Sequence, residues 1–140
     1  MEINRAVRQQ DPYGCGIACV AFVNGISYNE AKRKYFRRRK DAGSRGYICK
    51  DLVKALKVAG KEYGYRYIKE GKRGFRNGDI IFIKRSRRYP AGHYLARTRS
   101  GWMDSWINFD ANNPKIRNSK AGFRKRLPGK AIYAVFAKVI

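Results

Sequence analysis

The order of patterns along the sequence predicts an α+β fold, with N-terminal helices packed on a C-terminal antiparallel sheet. Before residue 61, apolar side chains fill one continuous run or recur at about four-residue spacing, which indicates helices. From residue 79 onward, short segments are rich in β-branched and aromatic residues, which indicates strands. A chain of 140 residues with 44% hydrophobic content can bury a core without disulfides or metal, so we expect one domain over residues 1–140.

Three helices are expected in the first part of the chain. Residues 15–24, with the sequence CGIACVAFVN, are apolar on almost every side, which is typical of a buried helix. Ser27 and Glu30 form the capping-box pattern SYNE, and a short basic helix is expected over 29–40. A third helix is predicted over 47–60, where the apolar residues recur at helical spacing and a glycine ends the pattern.

Four strands are predicted in the rest of the sequence, at residues 79–84, 93–98, 102–107 and 131–139. The turn sequence TRSG lies between the second and the third, so residues 93–107 are expected to form a β-hairpin. Residues 108–130 are polar and contain Asn, Gly and Pro at several positions. We interpret this segment as a long surface excursion before the last strand.

The formal charge of +23, from 33 basic and 10 acidic residues, is extreme for a domain of this size. The basic residues form runs with interleaved aromatics, at Lys32–Lys40, Lys72–Arg76, Lys84–Arg88 and Lys115–Arg126. Such a charge favours contact with a polyanion, whether nucleic acid, an anionic membrane surface or an acidic protein. A solvated, highly soluble surface is the alternative, and the sequence does not choose between them.

Three cysteines, Cys15, Cys19 and Cys49, are an odd and sparse set, which argues against a disulfide framework and favours reduced thiols. The first ten residues contain no apolar core of signal-peptide length. No run approaches the roughly 20 apolar residues that a membrane span needs. We therefore expect a cytoplasmic protein without a signal peptide or transmembrane segment, and leave delivery by a non-standard route open.

Cys15 stands at the predicted start of the first helix, where the helix N-terminus can stabilise a thiolate. Thiol chemistry also needs a base, and His93, the only histidine of the chain, begins a predicted strand. Cys19 lies one helical turn from Cys15 and is expected to pack in the core, and Cys49 is expected to be structural too. A zinc site is disfavoured because C-x3-C on a helix lacks the usual ligand spacing, so no cofactor is expected.

The pattern Q-x-D-x-x-x-C-G-x-A-C over residues 9–19 resembles the start of a C39-type (bacteriocin-processing) cysteine peptidase, which has a papain-like fold. The resemblance continues in GHY at 92–94 and in the aspartate of MDSW at 103–106. It implies that Gln9 is the oxyanion-hole amide and that Cys15 is the nucleophile. It also implies that His93 is the general base and that Asp104 is the carboxylate that orients it. The sequence departs from the family pattern at Gly14, where a polar residue is usual, and at Ser105, where proline is usual.

The identity of the orienting group depends on the register of the hairpin. A two-residue turn at 99–100 places Asp104 opposite Leu95 and diagonal to His93 on the same face, roughly 7–8 Å away between Cα atoms. A bulge after the turn would move Asp104 to the other face and make Asn108 or Asp110 better placed.

Two classes of function follow from these features. The first is a small cysteine hydrolase, a peptidase or isopeptidase acting on a peptide or protein substrate, either standalone or as an effector or toxin domain. The second is a highly basic nucleic-acid-binding protein, or an RNA-directed toxin, on the same fold. The sequence carries no information on the oligomeric state.

Overall fold

The computed structural model describes residues 5–36, 46–69 and 74–138. These ranges contain three α-helices, α1 (Cys15–Asn24), α2 (Tyr28–Tyr35) and α3 (Cys49–Val58). They also contain six strands and a short 3-10 helix, Ile116–Asn118; the strands are β1 (Tyr63–Tyr67), β2 (Ile80–Ile83), β3 (His93–Arg97), β4 (Trp102–Asp104), β5 (Gly122–Arg124) and β6 (Ala131–Ala137). The predicted α+β fold is confirmed, with helices packed on an antiparallel sheet.

The helices follow the local signals of the sequence. The bounds predicted for α1 are confirmed, and the helix is buried over 16–22 before Gly25 ends it in a left-handed conformation. Ser27 caps α2, because its side chain accepts a hydrogen bond from the backbone N–H of Glu30 at 3.1 Å. The Glu30 carboxylate instead pairs with Lys34 at 2.8 Å, so only one half of the predicted capping box forms. The predicted continuation of this helix over 37–40 lies outside the described residues.

The sheet has the strand order β1-β6-β2-β3-β4-β5 and is antiparallel at every pairing. Two of its strands, β1 and β5, are not predicted from the sequence. β5 lies inside 108–130, so the interpretation of that whole segment as a surface excursion is wrong. Residues 122–124 of this segment pair with β4, and Ser119, also within the segment, is buried.

The sheet has a separate core on each face. The helix-facing core contains α1, the inner residues of α3 and side chains of the central strands. The opposite face buries Ile81, Ile83, Leu95 and Trp102 under the segments that connect the strands. Two buried layers fix the position of the central strands, and the catalytic candidates lie where α1 begins and β3 begins. None of the helices in the described parts of the chain has the length and apolar character needed to cross a bilayer.

Candidate active site

Cys15 is the first residue of α1 and is half-buried at the edge of a cleft of about 460 Å³. The backbone N–H groups in the first turn of a helix have no acceptor within the helix, and together they carry a partial positive charge. The thiol therefore lies where an anion is stabilised, and it opens onto a space that can accept a ligand.

His93 is the first residue of β3 and is buried beside Cys15. Its Nε2 lies 2.7 Å from Oδ1 of Asp104, and Cys15 is near enough to affect the charge of the imidazole. Burial alone would lower the pKa of His93, but the hydrogen bond to Asp104 and the interaction with Cys15 outweigh it and raise the pKa to about 10. The imidazole is therefore protonated at neutral pH and holds its positive charge next to the thiol.

The hairpin register that brings Asp104 to His93 is the predicted one. Ala96 pairs with Met103 and Arg97 with Trp102, so the alternative with a bulge after the turn is wrong. Asn108 and Asp110, the candidates for that alternative, are both exposed beyond the hairpin and make local hydrogen bonds: the Asn108 side chain with Asn118 and Lys120, and that of Asp110 with Asn112.

Arg124 completes the surroundings of the Asp104 carboxylate and is not predicted from the sequence. Its Nε donates to Asp104 Oδ2 at 2.7 Å, while the backbone N–H of Trp106 donates to Oδ1 at 3.0 Å. Burial would raise the pKa of Asp104, but its contacts with His93, Arg124 and Trp106 lower the pKa to about 2. The fully buried carboxylate is thus ionised, and both of its oxygens are held in place.

An aromatic stack fixes the plane of the imidazole. The Tyr89 ring lies parallel to the His93 ring, with centroids 5.1 Å apart and planes inclined by 7°. Phe109 stacks on Tyr89 at 5.5 Å, and Arg124 Nη2 donates to the Tyr89 hydroxyl at 3.2 Å. Arg124 therefore orients His93 along two routes, through Asp104 and through Tyr89.

Gln9 is buried and lines the same cleft as Cys15. The Ser105 hydroxyl donates to its Oε1 at 2.7 Å, which fixes the orientation of the amide. Its Nε2 lies 3.0 Å from the carbonyl oxygen of Asp11 and 3.2 Å from that of Pro12. Ser105 and the loop that precedes α1 therefore hold the amide in a fixed orientation in the cleft that Cys15 also lines.

The fold has a counterpart among solved structures. It is similar to the crystal structure of the peptidase domain of Streptococcus ComA, a bi-functional ABC transporter involved in a quorum-sensing pathway. The TM-score is 0.52, with 17% sequence identity over 94% of this chain and 96% of that chain. The fold is C39-like. No protein-family model and no curated protein matches the sequence.

The two departures from the C39 pattern have structural explanations. A Cβ at Gly14 would lie 2.0 Å from the Tyr28 hydroxyl, which donates to the Asp11 carboxylate at 2.6 Å. A side chain before the cysteine is therefore excluded by Tyr28, which itself comes from α2. The second departure, Ser105, supplies the hydroxyl that holds the Gln9 amide. Both positions are adapted to neighbours that lie far away in sequence.

The glycine before His93 is required by its backbone conformation and by the side chain that faces it. Gly92 has φ of +75°, a conformation that other residues rarely adopt. A Cβ there would lie 2.2 Å from the Phe82 ring, so the space is also closed. Gly92 thus lets the chain turn sharply into β3 and places His93 at the mouth of the cleft.

The other two cysteines lie away from the solvent. Cys19 and Cys49 are buried free thiols, and burial raises the pKa of both. The interpretation of both residues as structural agrees with this burial. The described parts of the chain contain no group of three or more His, Cys, Asp or Glu side chains that could hold a metal ion.

The cleft itself is mainly apolar and aromatic. Side chains from the loops before α1, α3 and β3 line it, together with residues that follow β4; they include Tyr13, Tyr47, Ile48, Tyr94, Trp106 and Phe109. Arg85 is the one arginine or lysine in the described part of this lining. Such a cleft suits apolar side chains of a ligand on either side of the thiol.

Proposed function

We propose that this protein is a cysteine hydrolase that cleaves peptide or isopeptide bonds, with Cys15 as the nucleophile. The observation that carries the proposal is the position of His93, which is hydrogen-bonded to Asp104 and interacts with Cys15 in the same cleft. A thiol, an imidazole and a buried carboxylate in this order are what nucleophilic acyl transfer requires. The C39-like fold supports the same assignment.

The protonated imidazole activates the thiol. Because the pKa of His93 is raised to about 10, its charge is present at neutral pH and favours the thiolate beside it. Asp104 accepts from Nε2, which leaves Nδ1 for the sulfur. The thiolate attacks the carbonyl carbon, and His93 then donates its proton to the leaving amine. The neutral imidazole next takes a proton from water, and the resulting hydroxide attacks the thioester and releases Cys15.

Two donors are available for the oxyanion that forms during the attack. The backbone N–H of Cys15 lies in the first turn of α1, and the Gln9 amide is held in the same cleft. If one amide hydrogen of Nε2 is shared between the carbonyls of Asp11 and Pro12, the second is left for the oxyanion. Gln9→Glu should therefore slow cleavage without preventing alkylation of Cys15.

Alkylation by iodoacetamide at pH 6.5, followed by mass spectrometry, tests the activation of the thiol. We expect Cys15 to react much faster than free glutathione at the same pH, and His93→Ala to remove that excess rate. Cys49→Ser is the matched control and should leave the rate at Cys15 unchanged. Equal, slow labelling of all three cysteines in the wild-type protein would overturn the mechanism.

Cleavage itself is tested with a mixed peptide library analysed by mass spectrometry. Wild-type protein should produce new peptide termini that are absent with Cys15→Ala. Cleavage that persists in Cys15→Ala would show that another group is the nucleophile.

An effector or toxin role for the hydrolase remains a prediction. It is tested by inducing the wild-type protein and Cys15→Ala in the same host cells and comparing growth. Equal growth of the two cultures would contradict a toxic hydrolase.

A further inference from the structure

A row of four aromatic side chains crosses the sheet on its helix-facing side. The row runs through directly paired positions of β3, β2, β6 and β1, held by Tyr94, Phe82, Tyr133 and Tyr67. Successive ring centroids are 4.8, 6.5 and 5.8 Å apart. Because neighbouring strands are about 4.8 Å apart, the row spans roughly 15 Å. It begins at the cleft, which Tyr94 and Phe82 line, and ends at an edge strand of the sheet.

The exposure of the rings increases toward that edge. Side chains alternate along a strand, so Tyr63, Tyr65 and Tyr67 of β1 share one face. Tyr63 is buried in the helix-facing core, whereas Tyr65 is 48% exposed and Tyr67 is 64% exposed. Tyr133 beside them is 38% exposed. We call these three exposed rings, Tyr65, Tyr67 and Tyr133, the tyrosine face.

Basic residues flank the three strands β1, β2 and β6 of the row, and one, Arg66, lies within β1. The stretches 64–69, 80–88 and 130–138 contain no acidic residue, and their eight basic residues are Arg66, Lys69, Lys84, Arg85, Arg87, Arg88, Lys130 and Lys138. The backbone N–H of Lys84 donates to the Lys130 carbonyl at 2.8 Å, and that of Ile68 donates to the Ile132 carbonyl at 2.8 Å. These contacts bring Lys69, Lys84 and Lys130, all exposed, to the end of the sheet beside the row.

We propose that the tyrosine face binds single-stranded nucleic acid. Exposed aromatic rings offer stacking surfaces for bases, and the lysines around them offer cations for phosphates. An acidic peptide could use the lysines, but its carboxylate side chains do not stack on open tyrosine rings as nucleic acid bases do. The excess of basic residues throughout the chain draws a polyanion to this face from a distance.

Fluorescence anisotropy with a fluorescein-labelled 12-nucleotide poly(dT) or poly(U) probe tests the proposal, using the full chain. Tyr67→Ala and Tyr133→Ala should each weaken binding by about fivefold or more at fixed salt, while the salt dependence is unchanged. Lys69→Gln and Lys130→Gln should each lower the slope of log affinity against log salt by about 0.7. Phe123→Ala is the matched control, because Phe123 is 49% exposed on β5, the opposite edge strand.

A second variant separates stacking from folding and from general apolar contact. Tyr67→Leu keeps apolar area on the strand but removes the aromatic ring, so it should lose as much affinity as Tyr67→Ala. Thermal unfolding of each variant identifies any loss that comes from an unfolded chain. Equal affinity in Tyr67→Leu, Tyr133→Leu and the wild type would overturn the proposal. Competition by poly-glutamate as effective as that by unlabelled poly(U) would also overturn it, in favour of an acidic protein partner.

This binding does not depend on the proposed hydrolase. Cys15→Ala should bind the probes as tightly as the wild type, because Cys15 lies at the far end of the row. If Cys15→Ala binds nucleic acid but the wild type cleaves no peptide, the nucleic acid proposal is supported. That result would contradict only the proposed hydrolase.

Discussion

Arg124 holds the buried carboxylate of Asp104, and its replacement by glutamine is expected to destabilise the protein by about 3 kcal/mol at neutral pH. The guanidinium donates to Asp104 at 2.7 Å, to the Tyr89 hydroxyl at 3.2 Å and to the Ile107 carbonyl at 3.1 Å. Removing one member of a buried ion pair costs about 3–5 kcal/mol. Because the Arg124 side chain is 17% exposed, water screens part of the pair, and the lower end of that range applies.

The stability loss can be measured by urea or thermal denaturation. For a domain of this size, about 3 kcal/mol corresponds to a fall in Tm of about 10 °C. The pKa of Asp104 is lowered from 3.8 to about 2, so its ionised form stabilises the fold above about pH 4. That contribution is lost as the pH falls through about 2. The difference in the free energy of unfolding between Arg124→Gln and the wild type should therefore have its full size at pH 7 and should decrease below about pH 3.

A purely structural role is distinguished by the reactivity of the thiol. Arg124→Gln should change the pH dependence of Cys15 alkylation, because the orientation of His93 depends on Asp104 and Tyr89. Arg124→Lys keeps the charge, so its loss of stability should be smaller than that of Arg124→Gln. Tyr89→Phe removes only one acceptor of the guanidinium and should lower the free energy of unfolding by about 1 kcal/mol. If Arg124→Gln were as stable as the wild type at pH 7, or equally destabilised at pH 7 and at pH 2, the ion-pair explanation would be wrong.

Three further predictions concern the neighbours of the site. Gly14→Ala places a methyl group 2.0 Å from the Tyr28 hydroxyl, so it should lower the free energy of unfolding by about 1–3 kcal/mol. Tyr28→Phe should recover part of that loss in a double-mutant denaturation cycle. Additive effects of the two substitutions would contradict the steric explanation. Ser105→Ala removes the donor to the Gln9 amide, so it should slow peptide cleavage while iodoacetamide labelling of the thiol stays at the wild-type rate; unchanged cleavage would argue against an oxyanion role for the amide. The pKa of His93 is raised from 6.5 to about 10, so its protonation stabilises the fold below about pH 6.5 and this contribution is lost as the pH rises through about 10. Denaturation between pH 7 and 10.5 should show a decline in the wild type that His93→Gln lacks.

Local patterns were sufficient to predict where the helices lie and the register of the hairpin, but β4 ends at Asp104 and residues 105–107, predicted as strand, form a turn. The apolar run 15–24 predicts α1, and the Ser27 cap predicts the start of α2. Both signals depend only on residues within one or two helical turns. The turn at 99–100 fixes the hairpin register, and with it the pairing of Asp104 with His93. The roles of these residues in catalysis remain predictions.

Long-range contacts explain what the sequence did not predict. β1 is not predicted, although the tyrosines of its sequence YGYRY alternate as in a strand, because the segment is short, contains a glycine and has no β-branched residue. β5 has three residues inside a polar segment, too short for a periodic signal. Arg124 is one of 33 basic residues, and only folding shows that it, and no other, meets the buried carboxylate.

The groups that build the site are spread from Gln9 to Arg124, so most of the chain separates the first from the last. Domains that are synthesised from the N-terminus can complete such long-range contacts only after their later segments have left the ribosome. A nascent chain exposes Cys15 early, before His93, Asp104 and Arg124 have been translated. The surroundings of the Cys15 sulfur seen in the fold are therefore complete only after residue 124 has left the ribosome.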